Sequence, residues 1–175
     1  PVTLTLTADL ETPVSILSRL KDDEDVFLLE SVEAGERFGR NSFIGLNPRA
    51  RFSVEDGRAF MEDADGRREL PEAATKEGAF MALRSLTEGL RPAAPADLPS
   101  FTGGAVGALG WEMCGDFEPK TGYKPHGLTA AFMVAEDMII FDNFRHTMTI
   151  SAGVRIDEFP DLGSAFAAGA ARVEA

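Results

Sequence analysis

Three groups of residues in this 175-residue chain are of types that could do chemistry. The first is one sulfur and two imidazoles: Cys114, His126 and His146. A thiol beside an imidazole can become a thiolate near neutral pH and act as a nucleophile. No spacing signature joins these three. A single Cys between Met113 and Gly115 reads as a small buried hydrophobe, and the two histidines stand in turn-like, exposed contexts. The second group is the glycine run Gly103-Gly104-Ala105-Val106-Gly107-Ala108-Leu109-Gly110, whose backbone N–H groups could approach a phosphate. It has no Gly-Lys-Ser/Thr, no Gly-x-Gly-x-x-Gly register and no βαβ periodicity around it, so close backbone packing is the better reading. The third group is Leu28-Leu29-Glu30-Ser31, followed after a glycine-bounded loop by Arg40-Asn41-Ser42. An apolar strand ending in a carboxylate and a hydroxyl, with a cation nearby, can hold a zwitterion. Glu30 would face its ammonium, Arg40 its carboxylate, and a hydroxyl would complete the contact. The structural alternative is a strand terminus with a surface Glu–Arg pair, which composition alone favours. No His-x-x-x-His or clustered His/carboxylate spacing offers a metal site. Asp22-Asp23 and Asp63-Asp65 read as solvated loop charges.

The elements that must position these residues belong to an ordinary globular chain. Apolar residues make up 44% of it and charged residues 26%, which fits neither wholesale disorder nor a fibrous class. Its length suits one domain or at most two small ones. Seventeen basic against twenty-nine acidic residues give a net charge of −12, a field that repels phosphate backbones and anionic lipid heads. Nucleic-acid and membrane partners are therefore not expected. A lone cysteine can make no internal disulfide and points to a reducing compartment, read here as the cytoplasm. No apolar run approaches the roughly 20 residues that cross a bilayer, and Pro1 to Leu10 lacks the basic start of a signal peptide. The chain opens without a methionine and stops in an alanine-rich stretch, which reads as a processed chain or a piece of something longer.

Thr12-Pro13 is a cap-then-proline start, and Val14, Ile16, Leu17 and Leu20 have helical spacing, which predicts a short helix over 13–21. Val26 to Leu29 is an apolar run short enough for a buried strand, giving a strand over 26–31. Ser42 to Leu46 is strand-like, and Asn47-Pro48 ends it. Strands over 50–55, 58–62 and 67–70 are separated by Asp56-Gly57 and Asp65-Gly66, dipeptides that supply tight hairpin turns. Phe80, Leu83, Leu86 and Leu90 predict a helix over 75–90. Residues 91–99, rich in proline and alanine, read as an extended connector. Strands follow over 129–135 and 138–142, then a turn at Asp142-Asn143-Phe144 and a hairpin partner from Thr147 to Ser151. A last helix spans 160–172. The predicted class is α+β: a mainly antiparallel sheet with helices packed on one face.

In this order, several of these stretches resemble the N-terminal domain of anthranilate synthase component I, of the chorismate-utilising enzymes. They are Thr12-Pro13-Val14-Ser15, Phe27-Leu28-Leu29-Glu30-Ser31-Val32-Glu33, Gly39-Arg40-Asn41-Ser42-Phe43-Ile44-Gly45, the glycine run through Trp111, and Phe141-Asp142-Asn143-Phe144-Arg145-His146-Thr147. Any one motif is weak, but their order and separations together are fairly specific. The resemblance implies that residues 1–175 form a single N-terminal regulatory domain. It also implies an allosteric pocket for L-tryptophan lined by Leu29, Glu30 and Ser31, with Arg40, Asn41 and Ser42 as its second contribution and Ser31 as the direct contact. Relatives often carry an aromatic residue where Asn41 stands, and another where Ala108 stands. The enzyme makes anthranilate and pyruvate from chorismate and glutamine or ammonia in tryptophan biosynthesis. Chorismate and Mg2+ are implied to lie in a C-terminal chorismate-binding domain beyond this chain, and a glutamine amidotransferase subunit (component II) is the implied partner. No residue here is then catalytic, no cofactor is expected in this chain, and the chain alone is expected to be inactive. The sister reading is aminodeoxychorismate synthase component I; the reading from a different class is a free-standing amino-acid-binding module.

Overall fold

In the computed structural model the chain runs β1 (Val2–Thr7), α1 (Pro13–Arg19), β2 (Phe27–Leu29), β3 (Asn41–Glu55), β4 (Arg58–Asp63), β5 (Gly66–Glu69), β6 (Gly104–Leu109), α2 (Cys114–Phe117), β7 (Leu128–Asp142), β8 (Thr147–Ala152) and α3 (Leu162–Glu174). The structure describes residues 1–20, 25–31, 39–71, 81–84, 87, 98–99, 101–124 and 126–175. The two 15-residue strands β3 and β7 each contribute to two compact units. The first unit comprises Pro1–Asn47, Pro92–Gly103 and Glu136–Ala175, and the second Pro48–Arg91 and Gly104–Ala135.

In the first unit the strand order is β1, β8, the end of β7, the start of β3, then β2. The β1–β8, β7–β8 and β2–β3 pairings are antiparallel, so directly opposed residues share a face. Leu4, Ile150 and Ile139 stand in one such row, and Leu6, Met148 and Phe141 in the next. Helix α1 covers this face: Ile16 and Leu17 pack on the cluster of Ile44, Ile139, Phe141 and Met148. Helix α3 lies on the same face, where Gly169 abuts Val2 and Val154, and Arg172 reaches Asp137 in the row of Val2 and Ala152. The α+β class is what the structure has, and in the first unit both helices lie on one face.

Local chemistry explains both helix starts. Thr12 Oγ1 accepts from the Ser15 N–H at 3.1 Å while Ser15 Oγ accepts from the Thr12 N–H at 2.9 Å, a capping box with Pro13 opening the helix. At α3 the Asp161 carboxylate accepts from the Ser164 N–H at 2.8 Å, which moves the start past Pro160 to Leu162.

The second unit has its own core of Phe52, Val54, Ala59 and Ala130, with Leu70, Leu83 and Phe132 packed on it. The turn from β3 to β4 has Asp56 at φ +49° and Gly57 at φ +75°, as a two-residue hairpin with the right twist requires. The glycine run forms β6, paired antiparallel to β7 with Gly107 opposite Phe132. A Cβ at Gly107 would run into the Ala131 carbonyl oxygen and come within 2.6 Å of Phe132 Cα. Close backbone approach accounts for that glycine.

Four expectations shift. Strand β1 was not foreseen, although Val2-Thr3-Leu4-Thr5-Leu6-Thr7 alternates with period two. Asn47-Pro48 does not end its strand: β3 runs from Asn41 to Glu55, because Asn47 takes the left-handed conformation at φ +49° and its amide donates to Asp137 Oδ2 at 2.9 Å. That single left-handed residue lets the chain absorb the proline. The supposed break between 135 and 138 is absent, since Asp137 stays inside β7, buried and engaged by Arg172 and Asn47. Strand β2 is shorter than 26–31. Residues 81–84 and 87 of the expected 75–90 helix are helical, and the rest of that segment lies outside the described residues, as does most of the 91–99 connector.

Candidate functional site

Leu29 closes β2 with Glu30 and Ser31 just beyond it, and Arg40 stands just before Asn41 and Ser42, which open β3. The antiparallel register sets Leu29 opposite Phe43, so the two stretches meet at one end of the first unit's sheet. Their side chains are connected there. Ser42, fully buried, places its hydroxyl 3.5 Å from Glu30 Oε1, at the long end of hydrogen bonding. Leu29 is 40% exposed, and Glu30 and Ser31 are exposed.

Arg40 is engaged by the protein itself. Its Nε and Nη2 donate to Asp142 Oδ2 at 3.1 and 2.6 Å, although the two residues are 102 positions apart. Asp142 Oδ1 meanwhile accepts from the N–H groups of Phe144 and Arg145 at 3.1 and 3.0 Å. Burial pushes the Asp142 carboxyl up, but the Arg40 hydrogen bond and charge, with the two backbone donors, outweigh it and hold it below its ordinary value. The surface Glu–Arg pair weighed from composition gives way to a Glu30–Ser42 contact and an Arg40–Asp142 ion pair. Asn41 Nδ2 donates to the Phe141 carbonyl at 3.2 Å, tying the start of β3 to the end of β7.

Sequence reasoning read Asp142 and Asn143 as turn residues and missed their part in this cluster. Asn143 donates through its backbone N–H to the Arg40 carbonyl at 2.8 Å. Through Nδ2 it reaches Ser42 Oγ at 3.0 Å and the Gly39 carbonyl at 3.3 Å. The signal available was the Asp-Asn pair itself, a turn former with side-chain hydrogen-bonding capacity; its partners are too distant in sequence to leave a local trace.

The other candidates are not drawn into this cluster. Cys114 is a half-buried free thiol in the second unit, and His126 and His146 are exposed, His146 within the β7–β8 turn at φ +52°. Asp63 ends β4 and pairs with Arg68 at 2.7 Å, so it is held rather than freely solvated; Asp22 and Asp23 lie outside the described residues. Among the described residues no three His, Cys, Asp or Glu side chains converge to hold a metal ion. No described helix is long and apolar enough to cross a membrane.

A mainly antiparallel sheet with helices packed on it is a fold shared with a biosynthetic enzyme. The crystal structure of anthranilate synthase component I from Streptococcus pneumoniae TIGR4 matches 97% of the chain with 35% of its own, at a TM-score of 0.55 and 22% identity. Anthranilate synthase component 1 of Acinetobacter calcoaceticus is 35% identical over 149 residues, covering 81% of this chain and 29% of that protein. Its counterpart in Pseudomonas putida is 32% identical over 179 residues, covering 99% of this chain and 35% of that protein. No family model matches. The chain is similar to the N-terminal part of anthranilate synthase component I, and it spans about a third of the length of the curated relatives it matches.

Proposed function

We propose that this chain is the structural and tryptophan-sensing N-terminal part of an anthranilate synthase component I working in the cytoplasm. The whole enzyme converts chorismate, with ammonia drawn from glutamine by an amidotransferase subunit, to anthranilate and pyruvate. On this reading chorismate and Mg2+ belong to a chorismate-binding domain that follows this region, and no residue of this chain is catalytic.

The observation that carries the sensing role is the meeting of the end of β2 with the start of β3, where Ser42 lies against Glu30. A free amino acid needs an acceptor for its ammonium, a donor for its carboxylate and an apolar wall for its side chain. On this reading Glu30 receives the ammonium, Ser31 adds a hydroxyl, Arg40, paired with Asp142, contributes positive charge for the carboxylate, and Leu29 is the adjoining apolar residue. Tryptophan bound there shifts the conformational equilibrium of the whole enzyme in proportion to its differential affinity for the two states.

The test is an inhibition curve of the full-length enzyme. Ser31→Ala removes one hydrogen bond to a charged ligand group, worth about 1.5–3 kcal/mol, and is expected to weaken tryptophan inhibition roughly 10- to 150-fold. Unchanged sensitivity in Ser31→Ala, Glu30→Ala and Arg40→Ala alike would show that this strand end is only structural.

A further inference from the structure

We propose that Asn143, in the turn between β7 and β8, is a positioning residue of the effector site: it aims the Ser42 hydroxyl at Glu30 and so fixes the carboxylate that receives the ligand's ammonium. This rests on the reading of the strand-end cluster as a tryptophan site.

The hydrogen-bond directions allow one arrangement. The Gly39 carbonyl can only accept, so the Asn143 group 3.3 Å from it is the amide NH2. The same NH2 lies 3.0 Å from Ser42 Oγ and donates there too. Ser42 has one proton and is fully buried, out of reach of solvent. With Asn143 filling an acceptor site on its oxygen, that proton is left for Glu30 Oε1, 3.5 Å away. The relay therefore runs from Asn143 through Ser42 to Glu30.

Its effect is preorganisation. Glu30 is exposed, and an exposed carboxylate without a fixed partner rotates freely and must be ordered when a ligand arrives. Held through one oxygen, it presents the other to an ammonium. The Asn143 backbone N–H on the Arg40 carbonyl anchors the relay to the first residues of β3. Asn143 thus acts through Ser42 and Glu30, not on the ligand.

The experiment compares L-tryptophan with indole-3-propionate, the same indole acid without its amino group, as ligands of the full-length protein measured by calorimetry. Asn143→Ala is expected to weaken tryptophan about tenfold, the worth of one hydrogen bond, and to leave indole-3-propionate unchanged. Ser42→Ala, which interrupts the relay at its middle, gives the same selective loss and serves if Asn143→Ala fails to fold. In a Glu30→Gln background Asn143→Ala adds nothing, because the group it positions has lost its charge. Equal weakening of both ligands, no weakening of either, or full additivity with Glu30→Gln overturns the assignment. If the wild-type protein binds no tryptophan at all, the effector reading falls and the assignment with it. Tryptophan binding by the wild type without the selective loss removes the assignment alone.

Discussion

The Arg40–Asp142 pair has a pH signature of its own. Asp142 titrates below its ordinary value in the folded chain, so the folded state favours its charged form. The stabilisation is fully present above the unfolded carboxyl value, about 3.9, and is lost as pH falls through the lower folded value. Asp142→Asn keeps an oxygen for the Phe144 and Arg145 N–H groups and removes the charge. The variant is expected to be less stable than wild type at neutral pH, with the difference shrinking below about pH 4. Urea unfolding at a series of pH values measures this; a difference independent of pH would mean the charge contributes nothing. At this scale the sequence was half legible. Glu30 and Ser31 could be singled out because an apolar run ends in polar groups within four residues, whereas the Arg40–Asp142 contact spans 102 positions and depends on the meeting of β3 and β7.

Among the elements, those with local punctuation could be read and those stabilised from afar could not. The caps at Thr12 and Asp161 and the turn at Asp56-Gly57 carry their geometry in adjacent residues. The continuity of β7 through Asp137 depends on Arg172 in α3, and that of β3 through Pro48 on the Asn47 amide meeting the same carboxylate, so neither pattern shows in a short window. The period-two alternation of Val2–Thr7 is local, but the β8 partner that makes it a strand lies 140 or more positions away. Strand β6 gives a sharp test of the packing argument. Gly→Ala in a strand ordinarily stabilises by about 0.5–1 kcal/mol through backbone entropy. At Gly107 the new methyl meets the backbone of Ala131 and Phe132, which cannot rotate away, and overpacking costs about 1–3 kcal/mol. Gly107→Ala should therefore lower the thermal midpoint, and a midpoint unchanged or raised would remove close packing as the reason for that glycine.

For the molecule as a whole, the pattern of strands, turns and helices sufficed for the α+β class but not for the division into two units, because β3 and β7 each run on as one strand across the unit boundaries, Asn47/Pro48 and Ala135/Glu136, where the sequence reads as a strand end. Each unit is assembled from separate stretches, three in the first and two in the second. The β1–β8 pairing joins residues 140 or more positions apart, and loop closure must precede the contacts that reward it. Refolding from urea is accordingly expected on the millisecond-to-second scale or slower, measured by stopped-flow fluorescence of Trp111; a microsecond phase carrying the full amplitude would contradict it. The pairing of β1 with β8 has a consequence for a chain still being made. Thr5 and Thr149 share a hydroxyl hydrogen bond across 144 positions, so the first strand emerges long before its partner exists. At about 5–20 residues per second, the ribosome leaves Val2–Thr7 without that partner for roughly 7–30 s. During that interval Val2, Leu4 and Leu6 are an apolar edge open to chaperones and to neighbouring nascent chains.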